Sequence, residues 1–392
     1  MLFRSWAQVA DPAWPDVARV PDHVGGTHLV VTRNALVRQV LADPVTYQPD
    51  NALDAVTPMP VTALRVLAGH RFRLPPTLAN NSGVSHPQIR AIVAEALHPA
   101  RVAAQRQWLT ALVRDRVARI GAVLDAGTPV DLYADLAADL PLLVLARLVE
   151  LPDAPVGAVK EFARAALELF WAPLDADRQV ALAAEVGRFH RVLRDFAAVG
   201  GGLAAELRAA GHPPDVVVGA LFFLLVAGQE TTSQFLTLLL HRLANEPVVR
   251  AGLRTGEVAV ADVVEEGLRL EPPIVTWRRV ATTESTLGGT QVPAGSSLVL
   301  WLGRAGRDPA VVESPDEFRP GQRGSRRHLA FGAGAHRCVG DVLARMEAAV
   351  VVAEAAPLLD GVTVLRPPWC PDNLTFRMPD AFVVRRSPGS PG

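Results

Sequence analysis

One decapeptide of this 392-residue chain gathers residue types that do chemistry: Phe331-Gly332-Ala333-Gly334-Ala335-His336-Arg337-Cys338-Val339-Gly340. Its glycines permit positive φ and let the backbone approach a flat ligand. Cys338 stands just before a predicted helix, where unpaired N–H groups and the helix dipole lower a thiol's pKa and favour the thiolate. His336 and Arg337 add donors beside it. The same residues also suit an inert cysteine buried in a glycine loop. A dinucleotide fingerprint does not fit, because no strand leads into Gly332 and a third glycine is missing. A zinc site does not fit either, since Cys370 and the histidines lie at no ligand spacing.

Three other groups of residues carry potential chemistry. Ala227-Gly228-Gln229-Glu230-Thr231-Thr232 sets a polar run in the middle of an apolar stretch. Such groups are costly to bury unless bonded or used. Threonine can bond back to the preceding turn and open the helix, leaving a groove beside it. Glu266 and Arg269 are spaced i, i+3 and share one helix face. His86 and Arg90 are four residues apart in His86-Pro87-Gln88-Ile89-Arg90.

The elements that must position these residues are mostly helices. The pattern predicts a strand at His28–Thr32, then helices at 34–42, 89–97, 99–124, 134–148, 156–170 and 175–199. Pro213-Pro214-Asp215 opens a further helix that continues to Asn245, roughly 45 Å long at about 1.5 Å per residue and apolar nearly all round, hence buried. Gly200-Gly201-Gly202 reads as a break, since it lacks the Gly-Lys-Ser/Thr ending of a phosphate loop. Residues 51–85 show no sustained period, and a segment that long is usually functional. After Arg269, short strands are expected at 274–280, 286–292 and 297–302, irregular chain at 309–327, a helix at 340–356, and strands at 362–365 and 382–385. The fold class is mainly α with a small β-rich region. One domain over 1–392 is expected, with a flexible N-terminal segment of about 1–20 and a tail of about 387–392.

Composition narrows the possible functions. The chain is 49% hydrophobic and 20% charged, enough for a large core. Its 39 basic and 40 acidic side chains leave a formal charge of −1, which argues against nucleic-acid binding. Lys160 is the only lysine. Two cysteines make no disulfide framework, and residues 1–15 lack a signal layout, so a reducing, cytoplasmic setting is expected. The longest apolar run, Val216–Gly228, is too short to span a bilayer, so no membrane is expected.

The decapeptide resembles the haem-binding signature of the cytochrome P-450 family, Phe-Gly-x-Gly-x-His-x-Cys-x-Gly, at every fixed position. The resemblance extends along the chain from about His28 to Arg386. Ala227–Thr232 is similar to the family's distal-helix motif, Glu266 and Arg269 to its Glu-x-x-Arg, and His86 and Arg90 to the His-x-x-x-Arg of bacterial members. Ala305-Gly306-Arg307-Asp308-Pro309 resembles a further family segment. The resemblance implies a triangular, helix-rich fold with haem b between a long distal helix and a proximal Cys loop. Cys338 is then the axial ligand of haem iron, with Phe331, Gly332, Gly340 and Ala227 around the porphyrin. His86, Arg90, Arg279 and His336 hold its propionates. Glu230 and Thr231 relay protons to bound O2. Glu266 and Arg269 are structural, with Arg323 as their third member. Phe223, Ile274, Val275, Trp277 and Phe376 face the substrate, together with parts of 51–85, Phe170-Trp171 and the 374–376 turn.

A thiolate ligand favours O–O cleavage over reversible oxygen carriage. The resemblance therefore implies a monooxygenase that hydroxylates or epoxidises a lipophilic natural product, working as a monomer. Oxidative coupling, desaturation or cyclisation on the same scaffold is the alternative, and a non-catalytic haem sensor a more distant one. No flavin domain is expected, so electrons come from a ferredoxin and its reductase. Arg319, Arg323, Arg326, Arg327 and Arg337, with no acid among them in the sequence, form the expected docking patch for an acidic donor.

Overall fold

Helices begin and end where the sequence supplies caps and breaks. The computed structural model describes residues 14–22, 24–151 and 156–387. Pro99 opens the helix Pro99–Asp125, with His98 Nδ1 accepting the Ala100 N–H at 3.2 Å. Val102, Leu109, Val113, Ile120 and Leu124, at alternating seven- and four-residue steps, bury one stripe of it. That helix packs along the helix Asp341–Ala355. Asp175 caps Ala176–Val199 by accepting the Arg178 N–H at 2.8 Å. The helices Asn34–Ala42, His86–Ala96 and Val156–Trp171 match the expected spans within a few residues.

Two expected helices are interrupted. The 134–148 span is a π-helical turn, Tyr133–Ala137, followed by Leu140–Val149, because Pro141 lacks the N–H that would continue the ladder. The long apolar helix runs as Pro214–Ala227 and Glu230–Ala244, parted at Gly228-Gln229. Thr231 Oγ1 donates to the Ala227 carbonyl at 2.7 Å, the back-bond expected to open the helix there. The whole stretch Pro214–Ala244 is long and apolar enough to cross a bilayer, but most of it is buried inside the protein.

Short elements escaped the periodicity. The helix Val61–Gly69, inside the 51–85 segment, buries only Ala63 and Leu67, too few positions to set a period. Gly202–Ala209 and Pro247–Thr255 are likewise helical. Val17–Pro21 is a strand rather than part of a flexible N-terminal segment, because it pairs with Thr27–Val31 across a turn. Residues 1–13 of that segment and 388–392 of the tail lie outside the described residues.

The main sheet orders its strands as Val17–Pro21, Thr27–Val31, Ser297–Leu300, Trp277–Ala281 and Tyr47–Gln48. The Thr27–Val31 and Ser297–Leu300 pair is parallel and the other pairs are antiparallel. Ser285–Leu287 and Thr290–Val292 form a hairpin whose turn residues Gly288 and Gly289 have φ +55° and +77°, which glycine adopts at no steric cost. Val130–Asp131, Val383–Arg386 and Val362–Arg366 make a third sheet. A large helical core and a smaller sheet core meet at Ile274 and Trp277, which pack against both.

Candidate active site

Two helices and one loop enclose a cavity at the centre of the helical part. Its proximal wall is the predicted loop: Phe331, Gly332, Cys338, Val339 and Gly340, with Leu343 and Ala344 from the helix that follows. The loop is closed by Cys338 N–H donating to the Phe331 carbonyl at 2.9 Å. Gly332 and Gly334 hold φ +64° and +69°, and a Cβ on Gly334 would lie 2.1 Å from the Leu41 carbonyl oxygen. Only glycine serves there. The opposite wall comes from the interrupted helix: Leu224, Ala227, Gly228, Thr231 and Phe235. Arg90, Arg279 and His336 stand at the edge.

Cys338 is exposed and lines this cavity. Burial pushes its thiol above the usual range, against a lowering contribution from the Gly340 N–H. This corrects the expectation of a thiolate set by the helix terminus alone, because desolvation outweighs the backbone dipoles. A coordinated metal deprotonates such a thiol outright. Among the described residues no group of three or more His, Cys, Asp or Glu side chains could hold a bare metal ion. A metal at Cys338 must therefore bring its other ligands with it.

The cavity edge is chemically unfinished. Arg279 is buried, its guanidinium donates, among the described residues, only to the Arg278 carbonyl at 2.8 Å, and burial pulls its pKa down to about 10. His86 stacks on His336 with ring centres 4.2 Å apart, and its buried Nε2 has no partner among the described residues. Burial, then His336 and Arg90, bring the His86 pKa down to about 4. His336 Nε2 lies 3.0 Å from the Asn81 carbonyl, and Arg90 donates to the Arg337 carbonyl at 2.6 Å. A largely apolar slot with one sulfur below, and at its edge two arginines bonded to backbone carbonyls beside a histidine pair, fits a flat macrocycle whose carboxylates reach that edge. The residues present fit haem.

The structure separates the two expected relay residues. Thr231 is on the cavity wall, whereas Glu230 is fully buried and absent from it. Glu230 pairs instead with Lys160 and, at 3.7 Å, with Arg164. Lys160 Nζ also donates to Gln229 Oε1 at 2.9 Å and Ser233 Oγ at 3.3 Å. The helix turns Glu230 toward Lys160 on the helix Val156–Trp171, while Thr231 and Thr232 face the slot. The chain's only lysine is thus spent on the buried carboxylate, a signal its isolation in the sequence could have offered.

Glu266 and Arg269 pair with Nη2···Oε1 at 2.8 Å, as the motif implies. Arg323 is not their third member, which corrects that assignment: it is exposed and has no bond to Glu266. The remaining lone pairs of Glu266 accept from the Arg319 N–H at 2.9 Å, Gln322 Nε2 at 2.5 Å and Ser325 Oγ at 2.7 Å. Short polar groups suffice there, and a long guanidinium is not needed.

Of the expected substrate residues, Phe223, Ile274 and Trp277 line the cavity. Val275 and Phe376 do not, which corrects their assignment. The Val275 N–H donates to the Thr375 carbonyl at 2.8 Å, and Phe376 packs edge-on against Trp171 at 4.9 Å, so both are used up in the core behind the wall. Phe170-Trp171 and the 374–376 turn belong to the same core. Leu78 and Ala79 bring the 51–85 segment to the cavity, and Leu302 joins them; no period marked these three.

Residues 213–355 match the family model described as Cytochrome P450. The chain is 33% identical over 256 residues to Cytochrome P450 144 of Mycobacterium tuberculosis, over 62% of this chain and 58% of that relative. It is 31% identical over 303 residues to cyclomarin C epoxidase CymV of Salinispora arenicola, over 74% of this chain and 75% of that one. The chain spans less than two thirds of the length of the first curated relatives it matches. Cytochrome P450 CREJ in complex with (4-ethylphenyl) dihydrogen phosphate superposes with a TM-score of 0.86 at 27% identity, over 92% of both chains. The Tepidiphilus thermophilus P450 heme domain superposes with a TM-score of 0.82 at 26% identity, over 93% of this chain and 89% of that one.

Proposed function

The chain belongs to the cytochrome P450 family, whose members use haem b and O2, and we propose that it is a monooxygenase acting on a lipophilic small molecule. The observation that carries this is that Cys338 and Thr231 line one apolar slot, with Arg90 and Arg279, which have no acidic partner among the described residues, at its edge. Haem bound there supplies the oxidising chemistry at its iron, and thiolate ligation favours O–O cleavage. Cys338 would hold the metal, and Arg90, Arg279 and His336, backed by His86, would hold the carboxylates. Thr231 Oγ1 holds and passes a proton on the distal side. Glu230, paired with Lys160 and Arg164, lies one residue before it, next to the partly exposed Arg164. Phe223, Ile274, Trp277, Leu78 and Leu302 exclude water and bind apolar surface.

The same reading takes electrons from a separate, acidic ferredoxin-type donor, with the chain a soluble cytoplasmic monomer and its substrate a secondary metabolite. The tertiary structure reduces the expected basic patch. Arg326 pairs with Asp262 at 2.8 Å, Arg337 with Asp341, and Arg319 donates to Ser314 Oγ at 2.7 Å. Exposed Arg323 and Arg327, without an acidic partner among the described residues, are the groups best placed to meet a donor.

The test is the absorption spectrum of the reduced, carbon monoxide-bound protein, followed by a ligand screen for the shift to high-spin iron and by product mass. A thiolate-type band and a product heavier by one oxygen are expected. A product lighter by two hydrogens would replace oxygen insertion by coupling or desaturation. Haem binding without substrate-dependent consumption of reductant would leave a sensor.

A further inference from the structure

Side chains from three elements close a ring of contacts around Phe331, separate from the Glu266 cluster. Glu265, on the helix Val260–Leu270, is buried. It accepts from His328 Nε2 at 3.1 Å and from Arg345 Nε at 2.5 Å. His328 Nδ1 accepts the Ala330 N–H at 3.2 Å, so the ring proton sits on Nε2 and points at Glu265. Arg345, on the helix Asp341–Ala355, also donates to Asp341 Oδ2 at 2.7 Å, and its guanidinium lies 4.4 Å over the Phe331 ring. Burial alone would push Glu265 up, but the bonds from His328 and Arg345 hold its pKa at about 2, so it is charged. Phe331 lines the cavity, and its carbonyl accepts the Cys338 N–H.

We infer that Glu265, acting through His328 and Arg345, is a positioning residue for the Cys338 sulfur. The inference rests on the haem-thiolate reading above. The cysteine loop has two ends, His328-Leu329-Ala330 on one side and the first turns of the Asp341–Ala355 helix on the other. One carboxylate on a third element ties both ends together. With both ends fixed, the Phe331 carbonyl that holds Cys338 N–H has one position. Without Glu265, Arg345 keeps Asp341 and the Phe331 face but loses its tie to the helix Val260–Leu270, the third element. His328 loses its acceptor, and Phe331 loses a fixed cation over its face. The local field changes as well. Removing this buried negative charge from behind the cysteine loop favours the state with one more electron.

The test uses the haem-loaded full chain. The wild-type protein is measured first, and absence of its thiolate-type carbon monoxide band overturns the haem-thiolate reading and this inference together. Glu265→Gln keeps the size and an acceptor for His328 but drops the charge that aims Arg345. Its reduction potential is expected to rise, and its thiolate-type band to decay on warming roughly tenfold faster, the effect of losing one hydrogen bond between charged groups. Arg345→Lys, at a partly exposed position, keeps the charge without the two-point fork. It is expected to speed band decay with little change in potential. With the wild-type band present, a Glu265→Gln protein of unchanged potential and unchanged band lifetime overturns the inference alone. Should Glu265→Gln fail to fold, an unchanged band lifetime in Arg345→Lys overturns it by itself.

Discussion

The two sides of the cavity are built on opposite plans. Beneath the cysteine loop the neighbouring buried carboxylates Glu265 and Glu266 both have their partners. Glu266 is met by Arg269, Gln322, Ser325 and the Arg319 N–H, and Glu265 by His328 and Arg345. At the cavity edge the buried groups are left over: among the described residues Arg279 has one backbone carbonyl, and His86 Nε2 has no partner. A buried charge without a partner is costly, so a fold retains one where something else completes it. The paired side makes a rigid platform by itself, while the unpaired side stores its favourable interactions for a ligand.

The largest expected effect breaks the platform at its functional point. Cys338→Ser should abolish the thiolate-type carbon monoxide band completely, and an intact band would remove the basis of the proposed function. Next, Glu266→Ala should destabilise the protein even without haem, by about 3–5 kcal/mol, because it leaves the buried Arg269 guanidinium with backbone carbonyls but no counter-charge. Denaturant unfolding of the haem-free chain measures it.

Acid titration sharpens the same contrast. The His86 pKa is depressed from 6.5 to about 4, so between those values the unfolded chain binds a proton that the folded chain refuses. Stability from this group is complete above pH 6.5 and is lost as pH falls toward 4, by about 3 kcal/mol as an order of magnitude. A carboxylate bound beside His86 would raise its pKa and shrink that loss. Haem-free protein should therefore lose more stability than haem-loaded protein across this window, and equal losses would argue against a carboxylate at the edge. Glu265 titrates lower: its contribution holds above about 4.5 and is lost toward 2, and Glu265→Gln should flatten that acid limb.

Arg279→Gln should show the opposite sign from Glu266→Ala in the haem-free chain. Removing an uncompensated buried cation leaves stability unchanged or slightly higher, while haem affinity falls by roughly tenfold or more through loss of a charge-assisted bond. Retention of haem on gel filtration distinguishes the two variants. The smallest effect is expected at Arg323, where replacement by alanine should move stability by no more than about 0.5 kcal/mol. Replacing exposed Arg323 and Arg327 with glutamate should slow reduction by an acidic donor at low salt and leave the ligand-induced spin shift alone.

The sequence carried the parts of the site whose spacing is local. The decapeptide around Cys338, the i, i+3 pair Glu266 and Arg269, and the back-bonding Thr231 each owe their geometry to a few neighbouring residues, so that geometry was legible before any fold was known. Strongly periodic helices such as Pro99–Asp125 were legible for the same reason. Tertiary structure alone decided what depends on distant partners. It turned Glu230 onto Lys160, replaced Arg323 by Ser325 and Gln322, and sent Val275 and Phe376 into the core. It paired Arg326 with an acid 64 residues away, and raised the Cys338 thiol that its helix terminus alone would have lowered. Period and spacing record which face of an element is buried. They do not record which charges share that burial, because desolvation and pairing are set by atoms that the chain brings together only when it folds.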